Sequence, residues 1–166
     1  MKIIYNKILP FKGFGLINFL GLVFSRIPED CISWIVKQHE QIHTEQQEEI
    51  LAVGAILSLV LCNIFASWWY LLGVIVVPFL VYFLSFLVEV CIPPYHNVKI
   101  EFHKEDNWLE KLGKIVQAIK QIWVDAYHDN CFEREAYANE ANPNYFVNRK
   151  RFAWIRYALK KSQRNG

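Results

Sequence analysis

The sequence predicts a mainly α-helical integral membrane protein: a helix bearing H-E-x-x-H leads into a two-helix transmembrane hairpin, beside a cytoplasmic helical part and a small N-terminal β element. Three observations predict it. From Ile50 to Val88 there is no Asp, Glu, Lys, Arg or His, roughly twice the length that one bilayer-crossing helix needs. The composition is 54% hydrophobic, 16% aromatic and only 20% charged, which is not that of an ordinary soluble domain. The oily run is entered from a polar segment with no helix breaker, "WIVKQHEQIHTEQQEEILAVG", Trp34 to Gly54. At 166 residues the chain is read as a single membrane-embedded domain, 1–166.

Residues 1–27 are the N-terminal element. Ile, Leu, Val and Phe crowd residues 3–9 and 14–25, with Pro10, Gly13, Gly15 and Gly21 interrupting them. Short apolar runs broken by glycine point to strands or a hairpin; an interfacial helix from Phe14 to Phe24 is the alternative. Ser25-Arg26-Ile27 offers no small-x-small cleavage site, so no removed signal peptide is expected.

Residues 28–49 carry the H-E-x-x-H helix. "RIPEDCISW" supplies Pro28, two acids for a first turn, and Asp30 as a cap. Ile32, Ile35, Val36, His39 and His43 then share one broad face. Residues 50–91 form the hairpin, with a turn near Asn63 to Ser67 and with Trp68, Trp69 and Tyr70 at the interface, where amphipathic rings are favoured. Pro78 is tolerated inside the second span when neighbouring groups satisfy the freed carbonyl, and "CIPPYHN" (Cys91 to Asn97) ends it.

Residues 92–130 hold an amphipathic helix from about Asp106 to His128, with Trp108, Leu109, Leu112, Ile115, Val116, Ile119, Ile122 and Trp123 at helical spacing. It is suited to lie on the membrane, to cover a site, or simply to pack. In residues 131–166, Asn130 caps a helix "CFEREAYANEAN" that Pro143 ends, and a basic-aromatic helix follows from Tyr145 to Lys161.

Charge is distributed unevenly. From Arg134 onward eight Lys/Arg face two acids, Glu135 and Glu140, while Lys2, Lys7, Lys12 and Arg26 precede the spans. The positive-inside rule then places both termini in the cytoplasm, as expected of an integral protein of the inner (cytoplasmic) membrane. The basic tail suits anionic headgroups of the lipid bilayer. Arg149, Lys150, Arg151, Arg156, Lys160 and Lys161 interleave with Phe152, Trp154 and Tyr157, but no nucleic-acid motif surrounds them, so nucleic acid is not the expected partner. Cys31, Cys62, Cys91 and Cys131 have no C-x-x-C spacing and read as reduced thiols.

Residues four apart on a helix share a face, so His39 and His43 can aim two imidazole nitrogens at one metal ion. Glu40 then stands beside them as general base for a metal-bound water. Zinc suits this donor set and brings such water toward a neutral pKa. A catalytic zinc needs a third protein ligand and an open position, and the downstream helix offers Glu133, Glu135 and Glu140. Glu135 is favoured narrowly: it shares a face with Ala138, which allows close approach, and with Asn139, whose amide suits a ligand histidine. Glu133, three after Asn130, has the position of a capping-box side chain. Tyr127, His128, His96 and His103 are the candidates to stabilise an oxyanion.

"HEQIH", a membrane hairpin and then "FEREAYANE" together resemble the gluzincin class of zinc metallopeptidases, most closely the membrane-embedded HtpX and CAAX prenyl endopeptidase types. The resemblance covers about two-thirds of the chain. It implies a minimal zincin-like fold in which the third ligand returns after the spans on a cytoplasmic E-x-x-A-D helix. That pattern lies on Glu133-Ala136 with Tyr137 in the aspartate's place, or on Glu135-Ala138 with Asn139 there. Glu133 to Glu140 also resembles the E-R-E-x-A-C-D-E of BlaR-type sensor peptidases, and "LINFLGLVFSR" resembles the substrate-binding edge strand. The whole is similar, too, to small membrane proteins of Bacteroides-type bacteria. The implied activity is zinc-dependent endopeptidase action on a polypeptide substrate at the cytoplasmic membrane face. The competing class is a non-catalytic membrane scaffold or binding protein whose basic C-terminus meets lipid or a partner; the oligomeric state is open.

Overall fold

The computed structural model describes residues 1–6, 8–10, 15–91, 100–101, 103 and 107–159. It is mainly helical, with a three-stranded sheet at the N-terminus. Strands β1 (Lys2–Tyr5), β2 (Leu16–Phe19) and β3 (Leu22–Ser25) lie in the order β1-β3-β2, β1 parallel and β2 antiparallel to β3. The described part of that segment, Leu16–Ser25, is therefore a hairpin and not an interfacial helix. Leu20 (φ 50°) and Gly21 (φ 79°) make its turn, the two-residue left-handed type whose twist matches that of the strands. Gly21 is needed twice over: a Cβ there would also stand 3.1 Å from the Thr44 methyl.

The long helix α1 (Trp34–Phe65) does not begin at Pro28 or Asp30. Glu29–Cys31 form a single 3-10 turn and Ile32 is extended, so the cap is Ser33, whose Oγ accepts from the Val36 amide at 3.3 Å. From there α1 runs unbroken for 32 residues, about 48 Å, and ends at left-handed Ala66 (φ 46°). A 3-10 turn at Trp68–Leu72 and helix α2 (Gly73–Cys91), with Pro78 inside it, complete the hairpin. Trp34–Phe65 and Trp68–Cys91 are both long and apolar enough to cross a membrane. The charge-free part of α1 begins at Ile50, so His43 sits seven residues, about 10 Å, beyond it.

Small residues set how closely α1 and α2 approach. A Cβ on Gly73 would stand 2.6 Å from the Ser58 hydroxyl, and one on Gly54 would stand 3.2 Å from Val77. Close helix pairs without water depend on such positions. Gly54→Val is expected to destabilise the hairpin by about 1–3 kcal/mol through overpacking. Gly113→Ala, with nothing within 4 Å of the new methyl, is expected to be neutral or to stabilise. Thermal unfolding in one detergent checks both; equal midpoints for the two variants would remove the packing argument.

Helix α3 (Trp108–Asp129) starts from an Asn107–Glu110 capping box. Asn130 alone separates it from α4 (Cys131–Asn139) and caps α4 by accepting from the Phe132 amide at 3.0 Å. That helix stops at Asn139, four residues before Pro143. The expected helix from Tyr145 to Lys161 is instead two short ones, α5 (Tyr145–Asn148) and α6 (Trp154–Leu159), broken where Arg149 turns extended and Phe152 turns left-handed (φ 57°). Lys160, Lys161 and Ile92 to Asn97 of "CIPPYHN" lie outside the described residues. The core is small: Ile50 of α1 and Cys131 and Phe132 of α4 are buried, with Val77, Val81, Tyr82, Trp154 and Tyr157 against them. Phe132 lies between the rings of Tyr82 and Trp154, at 4.3 and 4.8 Å. The residue after Phe132 is thereby held at a fixed height beside α1.

Candidate metal centre

That residue is Glu133. On α1, His39 and His43 stand one turn apart with their Nε2 atoms 3.0 Å from each other. From α4, Glu133 Oε2 lies 3.4 Å from His39 Nε2, and Glu133 Oε1 lies 3.3 Å from His43 Nε2. Around a tetrahedral zinc with bonds near 2.0–2.1 Å, neighbouring ligand atoms are about 3.3 Å apart. The two carboxylate contacts are to different Glu133 oxygens; with one ligand atom from each residue the three lie within 4.8 Å of one another, close enough to close on a single ion, and this group is the one that could hold a metal ion among the described residues.

The partners of the imidazoles fix what their Nε2 atoms carry. Gln46 Nε2 donates to the Phe132 carbonyl at 3.0 Å and to Glu135 Oε2 at 2.9 Å, so the other Gln46 amide atom is the oxygen. His43 Nδ1, 2.9 Å from that oxygen, must therefore be the protonated nitrogen. His39 Nδ1 lies 2.8 Å from Glu140 Oε2 and by the same reasoning donates to a carboxylate. The two Nε2 atoms and Glu133 can then share a proton among them, and a metal ion taking that proton's place would meet two lone pairs and a carboxylate. Glu133 Oε2 is buried and accepts no hydrogen bond. Three electron-pair donors turned on one point repel unless something positive sits among them. The donor set, two neutral imidazoles and a carboxylate, fits zinc.

Burial works to raise the Glu133 carboxyl, but the hydrogen-bonding His39 and His43 outweigh it, with help from the Tyr127 hydroxyl, and hold it well below the usual carboxylate range. Glu133 therefore stays ionised, as a ligand must. The half-buried Glu40 has His43, His39 and Glu133 as its charged neighbours. Its backbone is pinned from the sheet: Asn18 Nδ2 donates to the Glu40 carbonyl at 2.6 Å and to Thr44 Oγ1 at 3.1 Å.

The structure brings Glu133, and not the narrowly favoured Glu135, to the histidines. The Glu135 side chain is fully buried and engaged by Gln46, by the Tyr145 hydroxyl at 2.7 Å and by Arg149 Nε at 2.8 Å. Arg149 reaches on to Glu49 on α1. Glu133, for its part, does not close a capping box, because the Asn130 side chain takes the Phe132 amide instead. Asn139 donates to the Glu135 carbonyl and to the Tyr157 hydroxyl, not to a histidine. Where the resembled pattern has its aspartate, the Tyr137 ring packs on His39 at 4.9 Å, and the acid that reaches His39 is Glu140, a turn further on. Gln38 holds Glu140 in place by donating to the Asn139 and Asn142 carbonyls on either side of it.

Of the four oxyanion candidates, Tyr127 neighbours Glu133, and His128 packs between Tyr127 and Tyr137. His103 lines a separate pocket with Glu101, Lys114 and Gln121, and His96 lies outside the described residues. All four cysteines are free thiols; burial pushes the Cys131 thiol up to about 11, so it remains protonated. Sequence reasoning missed Asn18, Gln46 and Arg149. For Gln46 a signal existed in its place one turn after His43; Asn18 and Arg149 act across the fold and leave none. No protein-family model, curated protein or solved structure matches this chain.

Proposed function

We propose that the protein is a membrane-anchored zinc-dependent endopeptidase that hydrolyses peptide bonds at the cytoplasmic face of the membrane crossed by α1 and α2. One observation carries the reading. The helix with H-E-x-x-H turns two imidazole Nε2 atoms, their Nδ1 positions taken by Glu140 and Gln46, toward the Glu133 carboxylate, with one ligand atom from each residue within 4.8 Å of the others. His39, His43 and Glu133 would hold the ion, leaving a fourth position open. When bound, zinc supplies a Lewis acid that acidifies water and polarises a carbonyl.

The chain's own groups do the rest. Glu40 takes the proton of the attacking water and returns it to the leaving amine. Tyr127 is the best placed of the four candidates to donate to the carbonyl oxygen as charge develops. The polypeptide substrate reaches the site about 10 Å from where the charge-free part of α1 begins, and the basic C-terminal residues face anionic headgroups. Arg149 is not among those, since Glu49 and Glu135 hold it.

The second reading, a non-catalytic metal-stabilised membrane scaffold, has one observation in its favour. On the outer edge of β2, where an extended substrate would pair, the Gln47 side-chain amide occupies the Asn18 carbonyl and the Leu20 amide.

Glu40→Gln separates the two. The variant is expected to keep its zinc while losing hydrolysis of an unfolded casein probe about 10²–10⁴-fold, assayed with the full chain in lipid vesicles. Equal cleavage by wild type and variant, or none by zinc-loaded wild type, rejects the enzyme.

A further inference from the structure

The amphipathic helix α3 is the largest feature the metal centre does not use. At about 100° per residue, Trp108, Leu109, Leu112, Ile115, Val116, Ile119, Trp123 and Tyr127 fall within an arc of about 120°. The fold does not cover that arc: Trp108 is 70% exposed, Val116 57% and Trp123 56%. The exception is its C-terminal end, where Ala126 falls within the arc and is 1% exposed; Ala118 and Asp129 are buried on another side. Lys111 and Lys120 border the apolar arc on either side, where a lysine stem lies along hydrocarbon and its ammonium group reaches water. An apolar face of this size, left open on a helix with a polar opposite side, marks a binding surface.

Its occupant is indicated by what adjoins it. Trp123 packs on Phe86 of α2 at 5.1 Å, and Asn130 Nδ2 donates to Ser85 Oγ at 2.9 Å. The C-terminal end of α3 is thus docked on the last two turns of the second candidate span. On α2 the exposed Leu84 and Val88 each stand two residues from Phe86, which Trp123 of the α3 arc touches. We propose that α3 is an in-plane membrane helix that seats Trp108 to Trp123 in the interface of the same bilayer. This inference rests on the hairpin crossing a membrane and not on the metal. It adds a consequence for the site: one residue after α3 ends, α4 begins, so the lipid surface sets the height of Glu133 against the histidines.

Fluorophore-labelled cysteines in the full chain test this in vesicles of three parts phosphatidylcholine to one of phosphatidylglycerol. Cys31, Cys62 and Cys91 are replaced by serine or alanine, and buried Cys131 is left in place. Labels at Val116→Cys and Ile119→Cys are expected to be quenched at least about twofold by brominated acyl chains and shielded from aqueous iodide, with the reverse at Gln117→Cys and Gln121→Cys. Iodide quenching of equal extent on both faces overturns the proposal. So does shielding of the apolar face from iodide and bromine alike, which assigns it to a second copy or another protein. A label at Phe83→Cys on α2 separates the levels: if it is quenched by bromine while 116 and 119 are not, only the in-plane helix fails, and if it is not, the hairpin reading fails with it.

Discussion

Purified from zinc-replete cells into detergent or lipid, the wild-type chain is expected to carry one zinc per molecule, and His43→Ala or Glu133→Ala to carry none. The expectation rests on electrostatics more than on the motif. The centre gathers an ionised carboxylate and two ring nitrogens within hydrogen-bonding distance, where a single proton can bridge two of the three donors and a divalent cation can meet all three. Removing any one of the three breaks the set. Alanine at 43 also leaves the Gln46 oxygen unpaired in a buried position, which costs about 1–3 kcal/mol. The orienting residues should show a graded loss: Glu140→Gln and Gln46→Leu release the tautomers and are expected to weaken zinc binding about 10–100-fold. Glu135→Gln discriminates between the two acids of α4. It keeps a hydrogen-bond acceptor for Gln46 and leaves the three ligands in place, so the zinc should remain. Metal analysis of dialysed protein with a competing chelator reads all five. A wild type without zinc, or a Glu133→Ala that keeps it while Glu135→Gln loses it, would sink the assignment.

What was legible in the sequence was local. The spacing of His39 and His43 and the charge-free run from Ile50 to Val88 each depend on residues close in the chain, and both appear as expected, as one long helix and an apolar hairpin. The start of α1 was misread because Pro28, Glu29 and Asp30 favour a 3-10 turn for the same reasons that they favour a first α-turn. The third acid was not legible for a different reason. Glu133 and Glu135 are two apart, about 200° around α4, and which of them meets the histidines depends on how α4 is rotated against α1. That rotation is set by Phe132 wedged between Tyr82 and Trp154 and by Arg149, which breaks what would have been one continuous C-terminal helix in order to reach Glu135 and Glu49. Neither contact has a sequence period. Nor does a residue at the resembled pattern's aspartate position hold His39; Glu140 reaches it from beyond the end of α4.

Arg149 is accordingly where the largest loss of stability is expected. Burial works against its charge, but Glu49 and Glu135 outweigh it and hold the guanidinium more firmly protonated than usual. Arg149→Met leaves Glu135, fully buried, and Glu49, nearly so, without their cation. Breaking a buried ion network from one side costs about 3–5 kcal/mol, because the surviving charge stays desolvated. For a chain of this size that corresponds to a fall of roughly 10 °C in the unfolding midpoint. The companion variant carries the argument. Glu135→Gln combined with Arg149→Met removes one stranded carboxylate and keeps the hydrogen bond to Gln46, so it should recover part of the loss; simple addition of two separate penalties would mean the groups do not act together. The same chain of contacts runs from Arg149 through Glu135 and Gln46 to His43 Nδ1. The melting comparison should therefore be made with zinc and with a chelator. A loss seen in both conditions belongs to the buried charges, while one seen only with zinc would mean that Arg149 acts through the histidine alone. A midpoint within a degree of wild type under both conditions would show that the network contributes nothing to the fold.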